Sequence, residues 1–174
     1  MTVFLEILKM TIPALVVFAT VYFMMKQFLN KEYQIKRLEY QQKHSSTTTP
    51  LKLQAYERLS LFCERISIPN LLLRLKSDNQ NAGLLRLSML IAIQQEFEHN
   101  ITQQVYVSDQ LWQIVKIARD DTVNIINGVA EKLEPKAPGD EYSNFLLNYS
   151  NSQEITTLDK ALQAIKKEAG VLLG

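Results

Sequence analysis

Residues 96–108 read EFEHNITQQVYVS, and Glu96 and His99 within them have the spacing Glu-x-x-His. On a helix that spacing sets a carboxylate and an imidazole on one side, half of the ligand pattern of di-iron carboxylate bundles. A complete site needs a second such pair and two further carboxylates. The only other histidine is His44, so one chain falls short of the ligand count. Zinc meets the same obstacle, because Cys63 and His99 supply two of the four ligands a closed site requires. No metal and no cofactor is therefore assigned. An enzyme that uses Glu96 and His99, with a metal or as an acid/base pair, is the alternative to a reading based on contact.

Other chemistries lack their signatures. There is no G-x-S-x-G elbow to expose a nucleophilic serine. Gly83, Gly128, Gly139, Gly170 and Gly174 stand singly, so no phosphate-cradling loop is present. The single cysteine, Cys63, lies in the apolar run LSLFCERI and reads as a small buried hydrophobe that cannot form an internal disulfide. From Leu51 onward 13 Lys and Arg face 15 Asp and Glu, a net −2. That charge gives no basic field for a phosphate backbone, and nucleic acid is excluded as a partner.

If the helix before residue 96 continues, Ile93, Phe97, Ile101 and Val105 recur every four residues, while Glu96, His99, Asn100 and Gln103 share another face. The polar face is then solvated, or His99 and Asn100 are buried or capping near a break at 105–108. Gln103, Gln104, Tyr106 and Trp112 combine donors, acceptors and aromatic surface, which suits a protein interface. The sequence is read as placing structural polar roles on Glu96, His99 and Asn100 and contact on the other four.

The elements that must position these residues are helical. Few Gly and Pro, five of each in 174 residues, favour long helices, and no segment keeps strand alternation. From Met10 to Met25 no charge occurs over 16 residues. With Phe4, Leu5, Ile7 and Leu8 the stretch reaches about 33 Å as a helix, enough for the roughly 30 Å of a bilayer core. Glu6 and the absence of a basic n-region and cleavage site argue for a retained anchor rather than a signal peptide. Lys26, Lys31, Lys36, Arg37 and Lys43 follow the span and only Lys9 precedes it, so the C-terminal side is expected in the cytoplasm. These five are expected at the membrane surface, against anionic lipid.

The predicted organisation is an all-α fold: a transmembrane anchor over 1–25, a basic helical stalk over 26–44, a linker over 45–50 and a cytoplasmic helical bundle over 51–174. SSTTT breaks the pattern, with Thr49 as N-cap and Pro50 as first helical residue. Leu51, Ala55, Leu59, Phe62, Cys63 and Ile66 form one face ending before Pro69. A short helix over NLLLRL, a turn at SDNQN, and a central buried helix from GLLRLSMLIAI follow. Ser108 or Asp109 caps the next helix, whose stripe runs Leu111, Ile114, Val115, Ala118, Ile125, Val129 and Leu133. EPKAPGDEY is a loop, and FLLNYS a short helix. Ile155, Leu158, Leu162, Ile165, Ala169 and Leu172 make a heptad seam behind a capping-box pair, Thr156 and Asp159.

The segments LQAYERLSLFCERISIPNLLLRL (53–75) and EFEHNITQQVYVSDQLW (96–112), set after an N-terminal anchor, resemble an uncharacterised family of small membrane-anchored helical proteins from Bacteroidota. The resemblance implies a bacterial inner-membrane setting and a helical cytoplasmic domain, and carries over no activity, cofactor or catalytic residue. The expected function is a single-pass membrane protein that acts as an interaction or scaffold module, an accessory subunit of an envelope complex. Its partners would be membrane lipid and a protein or a second copy of the chain, held at raised effective concentration by tethering.

Overall fold

In the computed structural model, residues 2–173 are described, with the side chains of 2–8, 10–14, 38 and 40–47 excepted. Every regular element among them is helical: α1 (Thr2–Arg65), α2 (Ile68–Leu75), α3 (Ala82–Asn100), a 3-10 turn (Ile101–Val105), α4 (Asp109–Ala130), α5 (Gly139–Ser152) and α6 (Thr157–Leu173). The chain divides into two units, Met1–Thr48 and Thr49–Gly174.

In the first unit the apolar side chains from Leu15 to Met25 are exposed, Phe18 at 71% and Met24 at 69%. The Thr20 hydroxyl donates to the Val16 carbonyl at 2.7 Å, satisfying itself within the helix. Among the described residues no helix is long and apolar enough to cross a membrane. The expected span takes in residues 1–14, most of whose side chains lie outside the described residues. Lys26, Lys31, Lys36 and Arg37 are exposed, and Lys36 pairs with Glu32 at 3.3 Å. Lys43 falls outside the described side chains.

The predicted break at 45–50 is corrected: the backbone there is helical and Pro50 lies inside α1. Pro50 has no N–H to give, which costs one rung of hydrogen bonding, and the helix runs through it to the segment that carries Leu59, Phe62, Cys63 and Ile66.

That core belongs to the second unit and is built from Tyr56, Leu59 and Phe62 of α1, Leu71 of α2, Leu85, Met89 and Ile93 of α3, Leu111, Val115 and Ile126 of α4, Tyr142 and Leu146 of α5, and Ala161 and Ile165 of α6. Each large aliphatic side chain so buried contributes about 1.5–3 kcal/mol. The short helix and the turn fall where expected. Ser67 precedes α2, whose second residue is Pro69. Asn79 takes φ 62, and the Asn81 side chain accepts from the Leu84 amide at 2.8 Å, capping α3.

Three details depart from the periodicity. Leu84, Leu87 and Ile91 are about half exposed, so α3 buries one stripe rather than its whole surface. On α4 the stripe rotates, burying Ile126 and Thr122, with the Thr122 hydroxyl bonded to the Ala118 carbonyl at 2.9 Å. α5 is longer than FLLNYS, starting at Gly139, where the chain runs against residues 80–81: the Gly139 amide donates to Gln80 O at 2.8 Å, and a Cβ would sit 2.5 Å from that oxygen. No other residue type fits there. α6 lays its seam mainly on α4, with Leu158, Ala161 and Ile165 buried and Ile155 exposed. Thr156 and Asp159 form the reciprocal cap, Thr156 N–H to Asp159 Oδ2 at 2.8 Å and Asp159 N–H to Thr156 Oγ1 at 3.1 Å.

Candidate functional site

The EFEHN segment closes α3, and its side chains serve that ending. Asn100 Nδ2 donates to the Glu96 carbonyl at 2.8 Å, and His99 Nδ1 lies 2.9 Å from the Gln95 carbonyl. Both side chains bond back to carbonyls one turn earlier in the same helix, which the helix ladder already engages. Because a carbonyl accepts, the His99 proton on this side resides on Nδ1. His99 is exposed and Asn100 half-buried.

Glu96 looks toward arginines instead of His99. Its Oε1 lies 2.9 Å from Arg65 Nε and 3.2 Å from Arg74 Nη1, and Arg74 Nη2 donates to the Arg65 carbonyl at 2.9 Å. One carboxylate thus ties α3 to the last residue of α1 and to α2. Among the described residues no hydrogen bond joins Glu96 to His99, and no group of three or more His, Cys, Asp or Glu is placed to hold a metal ion. Beside the ion pairs opens a cleft of about 350 Å³ lined by Arg58, Leu61, Phe62, Arg65, Glu96, His99 and Asn100.

Phe97 turns the other way. Its ring stacks on Trp112 with centroids 5.6 Å apart, meets Phe62 at 6.2 Å, and lies 4.0 Å from the Arg119 guanidinium carbon. This corrects two contact expectations: Trp112 and Gln103 are each 7% exposed and belong to the packed side. Aromatic stacking consumes the indole face, and the Gln103 amide donates to Thr102 Oγ1 at 3.2 Å. Gln104 is exposed and Tyr106 half-buried, so these two remain on the surface, together with Ile101 and Val105, which leave the stripe once the helix tightens to a 3-10 turn.

Over residues 2–172 the sequence matches the model of a family of unknown function, DUF7935. The chain belongs to that family. No curated protein and no solved structure matches it.

A second carboxylate locus went unseen in the sequence. Glu168 of α6 accepts the Ser108 amide at 2.9 Å and the Tyr56 hydroxyl at 3.2 Å on Oε1, and the Ser108 hydroxyl on Oε2. Ser108 in turn accepts from the Leu111 amide at 3.1 Å as the N-cap of α4. Burial, and then the Glu168 charge and hydrogen bond, raise the Tyr56 phenol above its ordinary value. The only hint in the sequence was Ser108 as a cap; residues 56, 108 and 168 are too far apart for any spacing rule. Cys63 is buried as expected, and burial, with Glu64 nearby, pushes its thiol up to about 12. That thiol is a packing group. It lines a further cleft of about 430 Å³ with Asp121, whose Oδ2 accepts from Thr157 Oγ1 at 2.6 Å.

Proposed function

We propose that this chain is a single-pass inner-membrane protein whose C-terminal helical unit is an interaction or scaffold module, an accessory subunit of a bacterial envelope complex. The observation that carries the reading is the uncharged run from Met10 to Met25, in which the described large side chains, Leu15 to Met25, are each more than half exposed. A helix apolar on every side needs an apolar medium around it, and the five basic residues that follow suit the cytoplasmic leaflet. Gln104 and Tyr106, at the surface beyond α3, are the contact candidates. Glu96 is engaged by two guanidiniums, an arrangement that joins helices, which favours contact over acid/base chemistry.

The test has two arms on the tagged full chain. After an alkaline wash of native membranes the wild type stays in the pellet. Val17→Arg, which costs about 2.5–3.5 kcal/mol at the centre of a membrane span, moves to the supernatant. In mild detergent the wild type brings down a reproducible partner that Gln104→Ala/Tyr106→Ala loses while helicity is unchanged. Release of the wild type by the alkaline wash would sink the anchor. A partner retained by the double variant would remove the 104–106 surface from the reading.

A further inference from the structure

We propose that the cleft at the C-terminal ends of α1 and α3 is an oxyanion site that takes a phosphate group. Its lining is unevenly satisfied. Arg74 spends its fork on Glu96 Oε1 and the Arg65 carbonyl, and Arg65 gives Glu96 its Nε, which leaves the terminal nitrogens of Arg65 toward solvent; that side chain is 56% exposed. Arg58 has no hydrogen-bond or ion-pair partner among the described residues, and it lines the same cleft.

Two guanidiniums, Arg58 and Arg65, line the cleft against one carboxylate, Glu96, a net +1, and Arg74 stands behind Glu96 at 3.2 Å. Of the neighbouring acids, Glu64 lines the separate larger cleft, and Glu98 accepts from Gln94 at 2.8 Å; Glu57 is exposed. Guanidinium forks match the oxygens of a phosphate and are its favoured partners. Arg58 and Arg65 stand seven residues apart on α1, about 10.5 Å along the axis, with Leu61 between them and 53% exposed. That layout fits a phosphate carried on a larger, partly apolar body. His99 lines the same cleft, with its Nδ1 2.9 Å from the Gln95 carbonyl. The inference does not depend on the anchor or on the contact surface.

The phosphate could belong to a soluble phosphate ester or to a phospholipid headgroup, and one experiment separates them. The full chain in uncharged detergent is unfolded thermally in rising inorganic phosphate against chloride at matched ionic strength, for wild type, Arg58→Gln and the surface control Lys166→Gln. The same three are unfolded in phosphatidylcholine bilayers with and without phosphatidylglycerol. Arg58 has no internal partner, so its substitution leaves the fold intact. The expected result is a saturable rise in Tm for wild type and control, with apparent affinity at least about tenfold weaker in Arg58→Gln. An Arg58-dependent response to phosphate alone assigns a soluble ligand, and one that also appears with phosphatidylglycerol assigns the headgroup. Equal responses of all three proteins in both arms would overturn the site.

Discussion

Glu96 and Glu168 are both carboxylates that tie three segments together, and they do so by opposite means. Glu96 stands near the C-terminal end of α3, where the helix's own partial charge is negative, and it is held by two charged side chains, Arg65 and Arg74. Glu168 meets the N-terminal end of α4, where partial charge is positive, and is held by neutral donors, the Ser108 amide and hydroxyl and the Tyr56 hydroxyl. The first arrangement rests on charge–charge attraction, which salt weakens through the partly exposed arginines. The second is a fixed junction. The carboxylate with a suggestive sequence neighbour thus sits among charged partners, while the inconspicuous one joins α1, α4 and α6 through neutral donors.

Removing the junction should cost most. Glu168→Ala leaves the part-buried Tyr56 hydroxyl without its acceptor and frees the exposed Ser108 amide to water, and is expected to lower stability by about 1.5–3 kcal/mol, the contribution of a hydrogen bond to a charged group. Denaturant unfolding measures it; a loss below that of Glu96→Ala would reverse the comparison. Ser108→Ala keeps the backbone donor but removes the cap, for about 1–2 kcal/mol, and a double-mutant cycle with Glu168→Ala should show strong coupling.

Glu96→Ala should cost about 1 kcal/mol or less, because its partners are partly exposed. That difference should shrink further in high salt, whereas the Glu168→Ala difference should not. The smallest effect is spectroscopic. Tyr56 has a raised folded value, so its contribution to stability is complete below the ordinary phenol value near 10 and is lost as pH rises through the folded value. In Glu168→Gln part of the cause is gone, and phenolate absorbance should show Tyr56 titrating at lower pH. Tyr142, which burial pushes up to about 12 and whose hydroxyl bonds the Ile126 carbonyl at 2.6 Å, should be unmoved.

Much of the bundle was legible because its signals are local. The Thr156/Asp159 cap, the Ser108 cap, the 77–81 turn and the buried Cys63 follow from short-range chemistry, and α6 kept its 3–4 spacing where its seam runs along α4. Where a helix meets several partners, spacing misleads. α4 touches α3, α5 and α6, so its stripe rotates to bury Ile126 in place of Ile125 and admits Thr122. α3 has an apolar surface wider than its neighbours cover, which leaves Leu84, Leu87 and Ile91 outside.

Of the candidate site, the sequence by itself determined that Glu96, His99 and Asn100 share one helix face, and that one chain offers too few ligands beside them for a metal; the end of α3 at Asn100, ahead of the expected break at 105–108, came from the tertiary structure. It also determined the uncharged N-terminal run and its basic flank. Only the tertiary structure decided that Glu96 faces Arg65 and Arg74, that Trp112 and Gln103 turn inward, and that Glu168 closes on Ser108 and Tyr56. The reason is physical: caps and turns are settled among residues a few positions apart, whereas ion pairs and stacked rings depend on which helices the hydrophobic core brings together.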